Sequence, residues 1–309
     1  MVHMGTIVIG IGGNALMQPS GKQGMAEELR NINRVADSIA LLCKKGSDRI
    51  IVTHGNGTQV GDELERNEHA RRYVPELPMH LLTAETQATI GSVIATALRN
   101  RMNAHRIDRN VEVLLAHVLV DRNDPAFIKP TKQIGKLYSM AELRKELKLG
   151  RFDYVKSGSK YREVIASPRP KVVLEADAIA RAARHSVVVT CGGGGIPMAM
   201  GNGKLAGVSA VIDKDRTTGL LASSLKAERM VILTNSDYVY YDYPKKGKPI
   251  RNAKAHELRK ALGRFEEGTI RPKLESCIDF VEKGGREAYI GNIFMLERIL
   301  SGRSGTKIS

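Results

Sequence analysis

The chain of 309 residues has no tryptophan, and its aromatic residues total only 5%. So few rings leave little for stacking single-stranded bases, and no C2H2, RNP or heptad basic-region pattern occurs, so a nucleic-acid partner is not expected. Cysteine is equally scarce. Cys43, Cys191 and Cys277 lie far apart with no CxxC pair, which excludes a disulfide scaffold and a thiolate zinc site and fits a reducing, cytoplasmic setting. Long apolar runs are missing too, since none approaches the ~18 residues of a membrane span. The TIVIGI run near the N-terminus is too short for a secretory signal and runs directly into glycines. A soluble intracellular protein without a membrane partner is expected. No G-x-x-x-x-G-K-[ST] is present either: the Gly-Lys pairs at 21–22, 135–136, 203–204 and 247–248 all lack its frame. The P-loop class is excluded.

What is present is a globular composition, 42% apolar with 30 glycines and 26% charged residues, long enough for two domains or one large α/β unit. Lys plus Arg number 48 against 33 for Asp plus Glu, a formal charge of +15. That balance favours anionic partners, and with so few aromatics it points to phosphorylated small molecules before polynucleotides.

Apolar β-rich runs at 5–11, 50–53, 111–120, 186–190, 229–234 and 287–290 alternate with helical patterns at 26–45, 81–98, 174–184, 217–227 and 272–283. Leu29, Ile32, Ala36, Ile39 and Cys43 recur three and four apart, which places them on one helical stripe. Such alternation predicts βαβ units and a mostly parallel sheet covered on both faces. Several runs end in glycine- or polar-rich turns, and ligands of open α/β sheets bind at those carboxyl ends. Residues 121–165 break the rhythm. Their length and basic bias, 11 Lys/Arg against 6 Asp/Glu over 121–163, predict an inserted, protruding subdomain acting as a lid within a single domain spanning 1–309.

Gly10-Ile-Gly12-Gly13-Asn14-Ala15 fits the loose dinucleotide fingerprint, yet the next strand ends in Thr53-His54-Gly55 without the carboxylate that would hold a ribose. What remains is a phosphate site built from separate glycine turns and scattered lysines, with backbone N–H groups close to anionic oxygens. Four glycines in a row at 192–195 give up packing and conformational entropy, which favours close approach of a ligand or a second backbone there. Val211-Ile-Asp213-Lys214-Asp215 opens a helix, and Asp215 sits well to cap it, although a cap alone does not explain a lysine set between two carboxylates at a helix mouth.

Seven segments occur in order: I-G-G-N-A-L (11–16), T-H-G-N-G-x-Q-V-G (53–61), N-D-P-A-F-x-x-P-T-K (123–132), S-P-x-P (167–170), G-G-G-G-I-P (192–197), V-I-D-K-D (211–215) and R-P-K-L-E (271–275). Together they resemble the carbamate kinases, a branch of the amino-acid kinase superfamily, across nearly the whole chain. The resemblance implies a three-layer α/β/α sandwich with an open, mostly parallel sheet, a homodimer, and reversible phosphoryl transfer between ATP and carbamate with Mg2+ carried by the nucleotide. It implies catalytic roles for Lys132, Lys214, Asp215 and Lys273. Gly12, Gly13 and Asn14 would hold the transferring phosphoryl group, and Thr234, Asp237 and Tyr240 would belong to the nucleotide site. Gly55, Asn56, Gly193 and Gly194 would meet the substrate, no protein metal ligand is implied, and His54 reads as structural.

The chain departs from the family pattern at Thr58, which follows H-G-N-G in place of proline. It also departs at Asn235, in place of an acidic residue, and at Arg271 within Gly268-Thr-Ile-Arg-Pro-Lys273, in place of G-S-M-G-P-K. These positions bear on acceptor and nucleotide preference. The alternatives are a kinase of another small carboxylate, such as an N-acetylamino acid, and a silent nucleotide-binding module.

Overall fold

The computed structural model describes residues 5–13, 24–46, 48–147, 153–241 and 247–309. The first half contains Thr6–Ile11 (β1), Gly24–Lys45 (α1), Arg49–His54 (β2), Gln59–Ala70 (α2), Met79–Ala104 (α3), Asn110–Leu114 (β3) and His117–Val120 (β4). Lys132–Tyr138 (β5), Met140–Leu147 (α4), Asp153–Ser157 (β6), Lys160–Ile165 (β7), Pro170–Val173 (β8), Ala176–Ala182 (α5), Ser186–Thr190 (β9), Ile196–Gly201 (β10) and Lys204–Gly207 (β11) follow. The last part holds Lys214–Ser224 (α6), Arg229–Thr234 (β12), Val239–Tyr240 (β13), Pro249–Ile250 (β14), Asn252–Ala253 (β15), Ala255–Ala261 (α7), Arg271–Glu282 (α8), Glu287–Asn292 (β16), Leu296–Leu300 (α9) and Thr306–Ile308 (β17).

The main sheet has eight strands in the order β15-β17-β16-β12-β1-β2-β9-β3, and only the β16–β17 pair is antiparallel. Its central strands are apolar on both faces because helices cover both. Along β1, Ile7, Ile9 and Ile11 enter a core with Ile32, Val35 and Ile39 of α1 and Ile90, Ile94 and Leu98 of α3. Val8 points the other way, into a core with Leu221 of α6 and Leu274 and Ile278 of α8. The two cores make the chain a three-layer α/β/α sandwich. The α1 stripe lies in the first core except for Leu29, which is exposed.

Residues 111–120 do not form one strand. β3 joins the main sheet, whereas β4 joins a four-stranded sheet, β11-β10-β4-β8. The break falls at Leu115-Ala116, where Gln87 of α3 satisfies the turning backbone: Ala116 N donates to Gln87 Oε1 at 3.1 Å, and Gln87 Nε2 donates to Ala116 O at 3.3 Å. A buried peptide group needs such a partner once it leaves its sheet.

Strands β5, β7 and β6 form a separate three-stranded antiparallel sheet carrying α4. Ile134 and Ile165 root it on Val60 and Leu64 of α2, Met79 and Leu82 of α3, and Val211. The stretch before it is tied down by Asp124, whose carboxylate accepts from Ala126 N at 2.9 Å and from Arg169 N at 2.9 Å.

Candidate active site

Strands β1, β2 and β9 end side by side, and their three glycine turns meet. Gly12 N donates to Leu233 O at 3.1 Å and Gly55 N to Ile11 O at 3.0 Å. A Cβ on Gly55 would stand 2.7 Å from Gly13 N, so only glycine lets these two backbones touch. At the third turn Gly193 has φ +63°, and a Cβ there would fall onto the side-chain amide of Asn56. The run at 192–195 therefore serves mainly to admit neighbours. Gly192 accommodates the His54 ring, Gly194 accommodates the carbonyl of Ile212, and Gly195 accommodates Val118. Gly194 also receives the Thr217 hydroxyl on its carbonyl at 2.9 Å and lies behind the cavity wall, whereas Gly193 lines the cavity.

Opposite the glycines stands the N-terminus of α6. Its N-cap is Asp213, whose Oδ1 accepts from Asp215 N at 3.0 Å and Arg216 N at 3.4 Å. This corrects the expectation that Asp215 caps the helix. An N-cap residue must precede the first helical residue, Lys214, and Asp215 is one position inside. Freed from capping, Asp215 receives two lysines, Lys214 Nζ at 2.6 Å on Oδ1 and Lys273 Nζ at 3.0 Å on Oδ2. Lys132 Nζ, arriving from β5, lies 3.3 Å from Asp213 Oδ2.

Three ammonium groups from distant parts of the chain thus share two carboxylates at one helix N-terminus, itself an anion-favouring end. Lys273 is brought there by the close approach of α8 to α6, where the Ser276 hydroxyl donates to the carbonyl of Asp215 and Gly219 leaves room for it. Lys273 Nζ also donates to Thr269 O at 3.0 Å.

Asp215 is only 4% exposed. Burial alone would raise its pKa, but the Lys214 and Lys273 ammoniums overcome that and hold it below the ordinary carboxylate range. Lys273 feels the converse: burial lowers its pKa, the Asp215 carboxylate raises it, and the result is a rise. Buried His54 is pushed down to about 4, first by burial, against the opposing bond of its Nδ1 to Gly55 O at 3.1 Å, with Lys214 adding to the fall. It is neutral near pH 7.

The glycine turns and the lysine–carboxylate cluster line one cavity of about 1080 Å³. Gly12, Gly13, Gly55, Asn56, Gly193, Lys132, Lys214, Asp215 and Lys273 form one part of its wall, and Thr234, Asn235, Tyr238 and Tyr240 form another with Phe265 and Gly268. Asp237 is not on the wall; it accepts from Asn292 Nδ2 at 2.9 Å beside the strand ends. Asn14 lies outside the described residues. Thr58 lines the cavity just before α2, whereas Arg271 is turned aside by ion pairs with Glu267 and with Glu275 at 3.2 Å. The sequence reading missed Asp213, the residue that caps α6 and meets Lys132. The D-K-D triplet was the signal, but a single pattern does not say which carboxylate caps. It also missed Lys136 and Arg162, which reach the cavity from β5 and β7.

The family model for the amino acid kinase family matches residues 5–292. The chain belongs to that family. Among amino acid kinases of curated function it is 36% identical to the carbamate kinase of Pyrococcus furiosus over 98% of each chain, and 34% identical to that of Thermoplasma acidophilum over 99% of each. A solved carbamate kinase from Giardia lamblia bound to AMP-PNP superposes with a TM-score of 0.92 at 31% identity, covering 100% of this chain and 99% of its own. No cluster of three or more His, Cys, Asp or Glu side chains among the described residues could hold a metal ion.

Proposed function

We propose that this amino acid kinase carries out reversible phosphoryl transfer between ATP and carbamate, giving ADP and carbamoyl phosphate. The observation that carries the reading is the convergence of Lys132, Lys214 and Lys273 on the Asp213–Asp215 pair, inside a cavity that extends to the strand ends around Thr234 and Tyr240. Full-length similarity to carbamate kinases supports the choice of acceptor.

Phosphoryl transfer demands little covalent work from the protein and much positioning and charge neutralisation. In this reading the N–H of Gly13 holds the transferring phosphoryl group, and Gly12, whose own N–H is spent on Leu233 O, keeps that turn close to it. Lys214 and Lys273, already desolvated, neutralise its oxygens without reorganising. Asp215 keeps two like charges close together, and Lys132 brings the third from the 132–165 sheet, which makes 121–165 a lid that completes the site on closure. Gly55 and Asn56 meet the carbamate, whose oxygen is already anionic, so no general base is required. His54, buried and neutral, serves the turn that presents Gly55.

Mg2+ fits this donor set as a passenger on nucleotide oxygens and water, because both carboxylates are engaged by lysines. Bound there, it would draw charge from the phosphate oxygens. Among the described residues no helix is long and apolar enough to cross a membrane. A cytoplasmic enzyme working as a homodimer completes the proposal.

The test is ATP formation from MgADP with carbamoyl phosphate, acetyl phosphate and N-acetylglutamyl phosphate side by side. Carbamoyl phosphate should be the best donor, and Lys214→Ala should lower its turnover by about a hundredfold or more while leaving the circular dichroism unchanged. A preference for N-acetylglutamyl phosphate would replace carbamate with a larger acceptor.

A further inference from the structure

Asn56 is 7% exposed and lines the cavity between Gly55 and Gly193. Its side-chain amide has two chemically opposite ends, a donating Nδ2 and an accepting Oδ1, and which one faces a ligand decides what the ligand must offer. The choice is made by Thr86, a buried residue on α3. Thr86 Oγ1 lies 2.9 Å from Leu82 O and 3.0 Å from Thr83 O. Carbonyl oxygens only accept, so the single hydroxyl proton is committed to these two. Toward Asn56, at 2.9 Å, the Thr86 oxygen therefore offers a lone pair, and the amide end that meets it must be Nδ2. The opposite orientation would set two acceptors against each other in a buried place. Gly193, with no side chain, leaves the amide room to lie flat against its Cα. Asn56 Oδ1 is then left as an acceptor with no protein hydrogen bond among the described residues.

We propose that Thr86 is a positioning residue for acceptor choice: it fixes the Asn56 amide so that Oδ1 accepts an N–H from the acyl fragment, selecting an amino-bearing acyl group over a methyl-bearing one of the same size. The inference rests on the functional reading above and deepens it. Carbamoyl and acetyl phosphate are nearly isosteric and differ in NH2 against CH3, so shape alone separates them poorly, whereas a buried acceptor left without its donor penalises the methyl compound.

The experiment measures kcat and KM for both acyl phosphates, at saturating MgADP, in the wild-type chain and in Thr86→Val and Thr86→Ser. Valine keeps the shape and removes the lone pair, which frees the amide to turn its NH2 toward the substrate's own NH2. The contact exists in both the bound and the reacting state, so its loss should raise KM and leave kcat within about threefold. For carbamoyl phosphate the expected fall in kcat/KM is about ten- to hundredfold, with acetyl phosphate changed by less than about threefold, and serine restores the wild-type ratio. Thr86→Ala, which removes the hydroxyl without adding bulk, is read the same way should valine fail to fold.

An equal fall for both substrates, or an unchanged ratio, would overturn the role of Thr86 while leaving the carbamate reading intact. A wild-type chain that makes no ATP from carbamoyl phosphate would sink both.

Discussion

Asp215 and His54 are both buried and both feel the Lys214 ammonium, yet they answer acid in different pH ranges. The folded Asp215 carboxylate binds a proton less readily than an unfolded one, so its contribution to stability is complete above pH ~4 and is lost only as pH falls below that. For His54 the folded pKa is about 4 and the unfolded one is near 6.5. Between those values the unfolded chain holds a proton that the folded chain refuses, so stability falls as pH drops through that window and levels off below it. That difference corresponds to roughly 3 kcal/mol. Replacing His54 by Asn should therefore flatten the pH dependence of the unfolding free energy between pH 6.5 and 4 in urea titrations, by an amount of that order. If wild type and variant lose stability in parallel across the window, His54 is not held neutral by burial.

Helix α6 shows how one element combines stability and chemistry, and how much of that can be read from the chain. The D-K-D triplet announced a charged helix mouth, and the glycine turns announced where strands end. Their division of labour was not local information. Asp213 and Asp215 look alike in sequence, and only the helix start at Lys214 separates the capping residue from the one that faces the lysines. The break between β3 and β4 was hidden for a related reason. VEVLLAHVLV is apolar but for Glu112 and His117 and carries no glycine or proline to mark a break, and the event that ends the first strand is the partnership of Ala116 with Gln87, 29 residues away. Lys132 and Lys273 could be suspected from motifs, but their meeting depends on the seating of β5 on α2 and of α8 on α6. The roles of Asp213 can be separated by substitution. Asp213→Asn keeps a capping oxygen but loses the charge facing Lys132, so its melting temperature should stay within about 2 °C of wild type while kcat/KM falls. Asp213→Ala loses both, and should destabilise by about 1 kcal/mol on top of the same kinetic loss. Equal melting losses in the two variants would mean that the charge, and not the cap, holds the helix mouth.

At the scale of the whole molecule, the formal +15 charge and one apolar surface pull in opposite directions. The positive charge keeps copies apart, more so at low salt. The sheet β11-β10-β4-β8 nevertheless carries apolar side chains in register on one face. Val172 stands beside Leu119, Leu119 beside Met198, and Met200 beside Leu205. Met200 is 50% exposed, Val172 46% and Leu205 44%, and a contiguous apolar face of this kind is one that a partner surface covers. A second copy placed on this face, as in the proposed homodimer, would bury side chains that take no part in the cavity wall. Met200→Lys with Leu205→Lys puts two like charges on the face and, by symmetry, four across a two-fold contact. Light scattering after size exclusion should then read about 34 kDa, against twice that for wild type, taking the chain mass of 33.9 kDa. Kinetics per chain should change little, because neither residue reaches the cavity. A dimer that survives both lysines would move the interface to another face of the sandwich.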